Sequence, residues 1–339
     1  MRAGLSHRRV IIVGAGQAGL AVAAALSAEG LRPQHEFVVV DAAAPGQRSW
    51  VSRWHSMELL SDARHSALSP RRLMGDQRRH PRADEMVDYL TYVEAGLGVE
   101  TDWGVRATGV EHRGNGSTLL LSTTAGEVQT RNVVCATAAA AHPRLPEWAS
   151  WLRVPGVMLH SSEYLYPGQI PSGEVLIVGG GNSGVQLARE LSASHAVTLS
   201  TRTPRRHRPA MSYPAAAGES VSLLSRERRP EPVFGDGYEQ LRRAGVTIAS
   251  AVATADGATV TFADGAQITP GSVILATGYD PGDHWLPETA RTERPRRTMT
   301  GLPGLFVAGM PQYGGRGADT IAGVSKDATA IAQHIINRP

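Results

Sequence analysis

A single cysteine, Cys135, stands in 339 residues. No intramolecular disulfide and no CxxC pair can form, so any redox mechanism that needs a protein dithiol is excluded, and a reducing compartment, the cytoplasm, is expected. Aromatic side chains make up only 5% of the chain. The two arginine-rich runs, RRLMGDQRRHPR (71–82) and RTPRRHRP (202–209), therefore lack the interleaved rings of a nucleic-acid surface. They read as solvated faces or as places for a phosphorylated small molecule, and no nucleic-acid partner is expected. No apolar run reaches the ~18 residues of a membrane span. The basic start and the apolar run to Leu26 imitate a secretory signal, but the glycines at 14, 16 and 19 follow a spacing that such a signal does not need. The 12 histidines form no HxH or HExxH pattern, so no metal site is expected. Apolar residues at 42% and a net charge of +3 describe an ordinary globular chain, long enough for two domains.

What is present is a repeat. VIIVGAGQAGLAVAAALS (10–27) and VLIVGGGNSGVQLARELS (175–192) each read as a buried strand, a glycine turn and a helix. A second strand follows each, Phe37–Val40 closed by Asp41 in the first copy and Ala196–Ser200 followed by Arg202 in the second. Between the copies the spacing predicts a helix over Ala83–Gly96, several short strands over 99–134 and a strand at Asn132–Ala136. After the second copy it predicts a helix at Tyr238–Ala244, strands over Val246–Asp264, a buried strand at Val273–Ala276, a strand at Leu305–Ala308 and a helix across Gly323–Ile336. The expected fold class is α/β, with two Rossmann-like dinucleotide-binding domains, the second inserted into the first. The expected boundaries are 1–152 with 281–339 for one domain and 153–280 for the other, including a linker at 153–166.

In such a unit the first glycine makes the turn, the second lets backbone N–H groups approach a pyrophosphate, and the third packs helix on strand. Those positions are Gly14, Gly16 and Gly19, then Gly179, Gly181 and Gly184, with Asn182 and Ser183 at the second helix start. The strand-end residues separate the two sites. Asp41 suits a ribose 2′-hydroxyl, whereas Arg202 and Thr203, with Arg205 and Arg206 behind them, suit a 2′-phosphate. The first site is therefore expected to hold FAD and the second NADPH.

Further motifs make the chain resemble the class B flavoprotein monooxygenases, the flavin-containing-monooxygenase-like and Baeyer–Villiger-like two-dinucleotide-domain flavoproteins of small bacterial type. PGQRSWVSRWHSMELLSD (45–62) is similar to their GxxWxxRW segment, which implies that Gly46, Trp50, Arg53 and Trp54 line the flavin; Gly46 stands one residue further from the tryptophan than the pattern asks. VPGVMLHSSEY (154–164) resembles their FxGxxxHSxxY linker through Gly156, His160, Ser161 and Tyr164, with Val154 in place of Phe. LATGYD (275–280) matches their ATG turn, and its counterpart CATAAA (135–140) carries Ala138 where glycine is expected, so that turn is expected to differ locally. GLPGLFVAGMPQYGG (301–315) resembles their last FAD strand, implying Gly309 and Gln312 beside the flavin, with the helix start at Gly323 and Val324 aimed at its pyrimidine edge.

The resemblance implies an NADPH-using monooxygenase acting through a C4a-(hydro)peroxyflavin on O2 and a small organic substrate, by N- or S-oxygenation or Baeyer–Villiger oxidation. The family's active-site asparagine has no match. LLSDARHSAL (59–68) stands there, with Ser61 and Asp62 the nearest catalytic candidates. This leaves open an oxidase or NADPH reductase without oxygen transfer and, from another class, a non-catalytic redox-sensing nucleotide-binding protein. Part of the substrate entrance is expected within 203–235, including MSYP (211–214).

Overall fold

The computed structural model describes residues 8–113, 118–209, 231–293, 296–315 and 317–338. MSYP (211–214) lies outside them. The chain forms two compact units. The first comprises residues 1–51, 62–142 and 280–339, and the second 52–61 and 143–279.

The first unit is built on a five-stranded parallel sheet ordered Leu305–Val307, Asn132–Cys135, Val10–Val13, Phe37–Asp41, Asp102–Trp103. Its three central strands are runs of buried apolar residues (Asn132 and the half-buried Asp41 apart), as parallel strands covered by helices must be. The Ala-rich helix Gln17–Ala28 presents small side chains, which lets the closing helix Ile321–Ile336 pack beside it. A three-stranded antiparallel meander, Ala107–Arg113, Thr118–Thr123 and Gly126–Thr130, leads into strand Asn132–Cys135.

The second unit repeats the plan. Its parallel sheet is ordered Thr247–Ala249, Ala196–Ser200, Glu174–Val178, Ser272–Leu275, Met158–His160. Helix Asn182–Leu191 follows the glycine turn, and a meander over Val252–Ile268 again precedes the strand beside the first one. The fold is thus two Rossmann-like units, the second interrupting the first. The repeat extends well past the two glycine signatures, to the meanders and the strands they feed.

Contacts group 52–61 and 143–152 with the second unit, where the sequence spacing groups them with the first. The reason is packing: Trp54 belongs to the apolar cluster of Tyr164, Ile177 and Leu199, while Ala149 and Leu152 pack with Val260 and Phe262. Among the described residues no helix is long and apolar enough to cross a membrane.

Candidate functional site

Each unit presents a glycine turn at the C-terminal end of its central strand. In the first, a Cβ on Gly14 would lie 2.4 Å from the Ala136 carbonyl oxygen, and one on Gly19 would lie 1.8 Å from that of Gly14. In the second, the same two clashes recur at 2.2 Å and 1.8 Å, between Gly179 and Ala276 and between Gly184 and Gly179. These four glycines hold helix on strand. The middle glycines differ: nothing lies within 4 Å of a Cβ on Gly16, and the atoms nearest to one on Gly181 are those of the Arg205 guanidinium, at 3.4–3.6 Å. Gly16 and Gly181 each begin a helix that no side chain caps and that has no acidic residue in its first turn. Uncapped N–H groups beside open space are what a pyrophosphate requires, so the residues present fit a dinucleotide at both turns.

The first turn is backed by charge. Asp41 accepts the Ala15 N–H at 2.7 Å and the Ala43 N–H at 2.8 Å, which fixes its carboxylate at the turn with lone pairs left for a ribose hydroxyl. Arg48 is buried behind the same turn. Its Nε donates to the Ala15 carbonyl at 3.1 Å, it pairs with Glu94, and its guanidinium lies 5.1 Å from the Trp103 ring centre. Nothing in the sequence marked Arg48, because Glu94 and Trp103 reach it only through the fold. Trp50 donates from its indole to Gln17 Oε1 at 3.2 Å, beside the helix start. Gly309 packs on this helix too, since a Cβ there would sit 2.6 Å from that of Ala18. Gln312 follows in the next turn of the chain, and Gly46 is exposed with nothing near it.

Three expectations change in detail. Arg53 and Trp54 fall in the second unit, because the chain leaves the first after Val51. Trp54 is only 3% exposed in the second unit's apolar core, and Arg53 stacks over Tyr279 and donates to its hydroxyl at 3.3 Å. Gly323 and Val324 both donate their N–H groups to Thr320, through its Oγ1 and its carbonyl, which leaves those of Ile321 and Ala322 at that helix end. Ala138 adopts φ +73°, the left-handed geometry that Gly278 holds at +86° in the second unit. The turn is conserved in shape although its residue is not glycine.

In the second unit Asn182 is a structural clamp. Its amide donates to the Pro232 carbonyl at 3.2 Å and accepts from the Phe234 N–H at 2.9 Å. Arg202 and Thr203 are exposed, with Ser183 partly so, while Arg205 is carried back over Gly181. Tyr238 secures this: its hydroxyl donates to the Gly180 carbonyl at 2.6 Å and accepts from the Arg205 N–H at 3.2 Å. His160 joins the linker motif to the ATG turn, with Nε2 3.2 Å from the Gly278 carbonyl and its ring edge-on to Tyr279. Burial holds its pKa below the ordinary value, helped by the nearby Arg53 charge and opposed by the Gly278 bond and Glu163. Ser161 and Tyr164 are buried beside it in the chain, and a Cβ on Gly156 would lie 2.7 Å from the Gly271 carbonyl oxygen.

Of the two catalytic candidates, Ser61 is buried in the second unit and Asp62 lies in the first. Asp62 caps the short helix Ala63–His65, accepting the His65 N–H at 3.0 Å and facing its Nδ1 at 2.6 Å. Partial burial pushes the Asp62 pKa up, but the two His65 bonds and the Arg64 and His65 charges outweigh it and hold it below the ordinary value. Asp62 is thus an ionised group that orients the His65 ring. The Asp-x-x-His spacing carried that signal.

The profile of the pyridine nucleotide-disulphide oxidoreductase family matches residues 11–309. The chain belongs to that family. It is 28% identical to the "Uncharacterized oxidoreductase CzcO-like" of Geobacillus kaustophilus, over 97% of this chain and 98% of that protein. It is 25% identical to the indole-3-pyruvate monooxygenase YUCCA1 of Oryza sativa, over 96% of this chain and 90% of that one. Among solved structures, the flavin-containing monooxygenase from Stenotrophomonas maltophilia superposes with a TM-score of 0.79 at 24% identity, covering 96% of this chain and 97% of that one. The protein is an oxidoreductase of that family, with FAD and a nicotinamide nucleotide as cofactors. The family is named for disulphide chemistry, which needs two thiols, and this chain has one cysteine. Cys135 is fully buried in its strand, and burial pushes its thiol up to about 12.

Proposed function

We propose that this protein is an NADPH-dependent flavin monooxygenase that delivers one atom of O2 to a small organic substrate. The observation that carries this is the opposite charge placed at two otherwise equivalent glycine turns: the Asp41 carboxylate at the first and the Arg205 guanidinium over the second, with Arg202 exposed nearby. The carboxylate favours a ribose with a free 2′-hydroxyl, so FAD takes the first turn. The arginines favour a 2′-phosphate, so NADPH takes the second. Bound flavin supplies hydride acceptance and activation of O2.

The chain supplies placement and electrostatics. Gly16 and Gly181 open each helix start to a pyrophosphate, and Arg48 fixes the carbonyl of the first turn from behind. Trp50 closes over Gln17 at the same helix end. His65, oriented by Asp62, offers the proton that oxygen chemistry consumes. The same pair gives the second reading, an oxidase or reductase that releases peroxide, because it stands where the resemblance expects an asparagine.

Purified protein is expected to be yellow and to be bleached by NADPH at least about tenfold faster than by NADH. Arg205→Gln is expected to raise KM for NADPH while leaving that for NADH unchanged. Oxygen uptake is then followed with a thioether, a tertiary amine, a cyclic ketone and indole-3-pyruvate, the last because the rice relative is named for it. Product formation matching NADPH consumption supports the monooxygenase. Stoichiometric peroxide with every substrate assigns the oxidase, and colourless protein that FAD does not reconstitute removes both.

A further inference from the structure

We propose that the substrate of this protein carries a carboxylate and that Arg53 is the residue that selects for it, an assignment that rests on the NADPH-dependent reading above.

Arg53 belongs to the second unit, where its guanidinium lies 5.9 Å from the Tyr279 ring centre. Through Nη1 it donates to the Tyr279 hydroxyl at 3.3 Å. Stacking and bond together hold a half-buried cation in one orientation. Among the described residues its Nε and Nη2 make no hydrogen bond and no carboxylate pairs with it. Those two nitrogens form one edge of the guanidinium plane, the edge that takes a carboxylate in two parallel hydrogen bonds. The charges around it leave that edge positive. Glu163, the acid whose charge reaches His160, is engaged by the His160 N–H at 2.7 Å. The His160 ring, edge-on to Tyr279 at 4.8 Å, is held neutral by burial. Arg144 adds a further cation, donating to the Tyr279 carbonyl at 3.3 Å.

The topology says what that edge faces. Strands Ser272–Leu275 and Met158–His160 end side by side, with Leu275 opposite His160. The chain after Leu275 touches the second glycine turn at Ala276 and reaches Tyr279 three residues on, at most about 11 Å away. Arg53, His160 and Tyr279 therefore stand at the carboxyl end of the sheet, where open α/β sheets bind their ligands. Strand Ala196–Ser200, which leads to Arg202, lies on the other flank of the central strand Glu174–Val178. A dinucleotide with its 2′-phosphate on that flank and its pyrophosphate at Gly181 directs its nicotinamide half to the flank of Arg53. Beyond the pyrophosphate that half carries no anion, so the anion left for Arg53 is the substrate's own. A neutral substrate would desolvate the guanidinium and give nothing back, whereas a carboxylate completes it.

The test reads binding before turnover. Holoenzyme with FAD bound and NADP⁺ saturating is titrated calorimetrically with phenylthioacetate and with levulinate, each beside its methyl ester. The acids are expected to bind about tenfold or more tighter than the esters. Arg53→Gln is expected to weaken the acids by at least about tenfold while moving the esters less than about threefold. Arg53→Lys is expected to restore part of the difference, because it returns the charge without the fork. Tyr279→Phe keeps the ring and removes the phenol, and is expected to weaken the acids alone. Three results overturn the proposal: acids that bind no better than their esters up to ~10 mM, equal losses for acid and ester in Arg53→Gln, or a matching fall in NADP⁺ affinity, which would give Arg53 to the cofactor's phosphates. Product analysis tests the other reading separately. Sulfoxide from the thioether acid supports both, and peroxide alone with the acid preference intact keeps Arg53 as the selector while removing the monooxygenase.

Discussion

Ala138 is the residue whose backbone and side chain disagree. At φ +73° its methyl group costs on the order of 1 kcal/mol that a glycine would not. Ala138→Gly is expected to raise stability by about 0.5 kcal/mol, the relief being partly offset by unfolded-state entropy; a lower urea midpoint would show that the turn does not hold that geometry. Arg48 is the opposite case, a buried cation satisfied on every side by Ala15, Thr91 and Glu94. Arg48→Met leaves the Glu94 carboxylate without its partner in a site only 13% exposed, an expected loss of about 3 kcal/mol. The same change frees the carbonyl of the first glycine turn, so FAD affinity, read from flavin fluorescence on dilution, is expected to fall with it. Retained affinity at reduced stability would confine Arg48 to packing.

At the scale of the element, strand, turn and helix form one object twice over. Gly19→Ala and Gly184→Ala each drive a Cβ to 1.8 Å from a backbone oxygen, and neither helix nor strand has room to give. Each is expected to cost about 3 kcal/mol or more, as overpacking against backbone does. Gly16→Ala meets nothing within 4 Å, so the apoprotein is expected to melt within a degree or two of the parent, ~0.5 kcal/mol, while FAD binding weakens sharply. Thermal melts of the apo forms beside FAD titrations separate the two kinds of glycine. Equal damage from Gly16→Ala and Gly19→Ala would mean that the middle position does not face the ligand.

For the whole molecule, acid is the discriminating condition. His160 is buried against the Gly278 carbonyl with its pKa held below 6.5. In the window between the folded and unfolded values the unfolded chain binds the extra proton. The neutral ring's contribution is therefore complete above about pH 6.5 and is lost as pH falls through the depressed folded value. Asp62, also depressed, adds a loss of the same sign in the carboxylate range below 3.8. Denaturation from pH 7.5 to 5 is expected to show falling stability, and His160→Gln to flatten that slope by up to one proton. An unchanged slope in the variant would assign the acid sensitivity elsewhere.

The glycine turns, the α/β class, the inserted second unit and the acid–base contrast at the two turns were legible in the residues. The reason is that close backbone approach admits glycine alone, and it does so within a dozen consecutive positions. What was not local was not legible. Arg205 takes its place over Gly181 because Tyr238, more than thirty residues on, binds both that stretch and Gly180. Trp54 lies four residues from Trp50, yet the two fall in different units, and the burial of Trp54 with Tyr164 and Ile177 comes only from the fold. Arg9 and Arg131 stand far apart in the sequence and meet only where two parallel strands begin together. Where backbone must touch backbone is written in neighbouring residues. Which charges meet is set by the fold, because charge acts through space and takes no account of the order in which the chain supplies it.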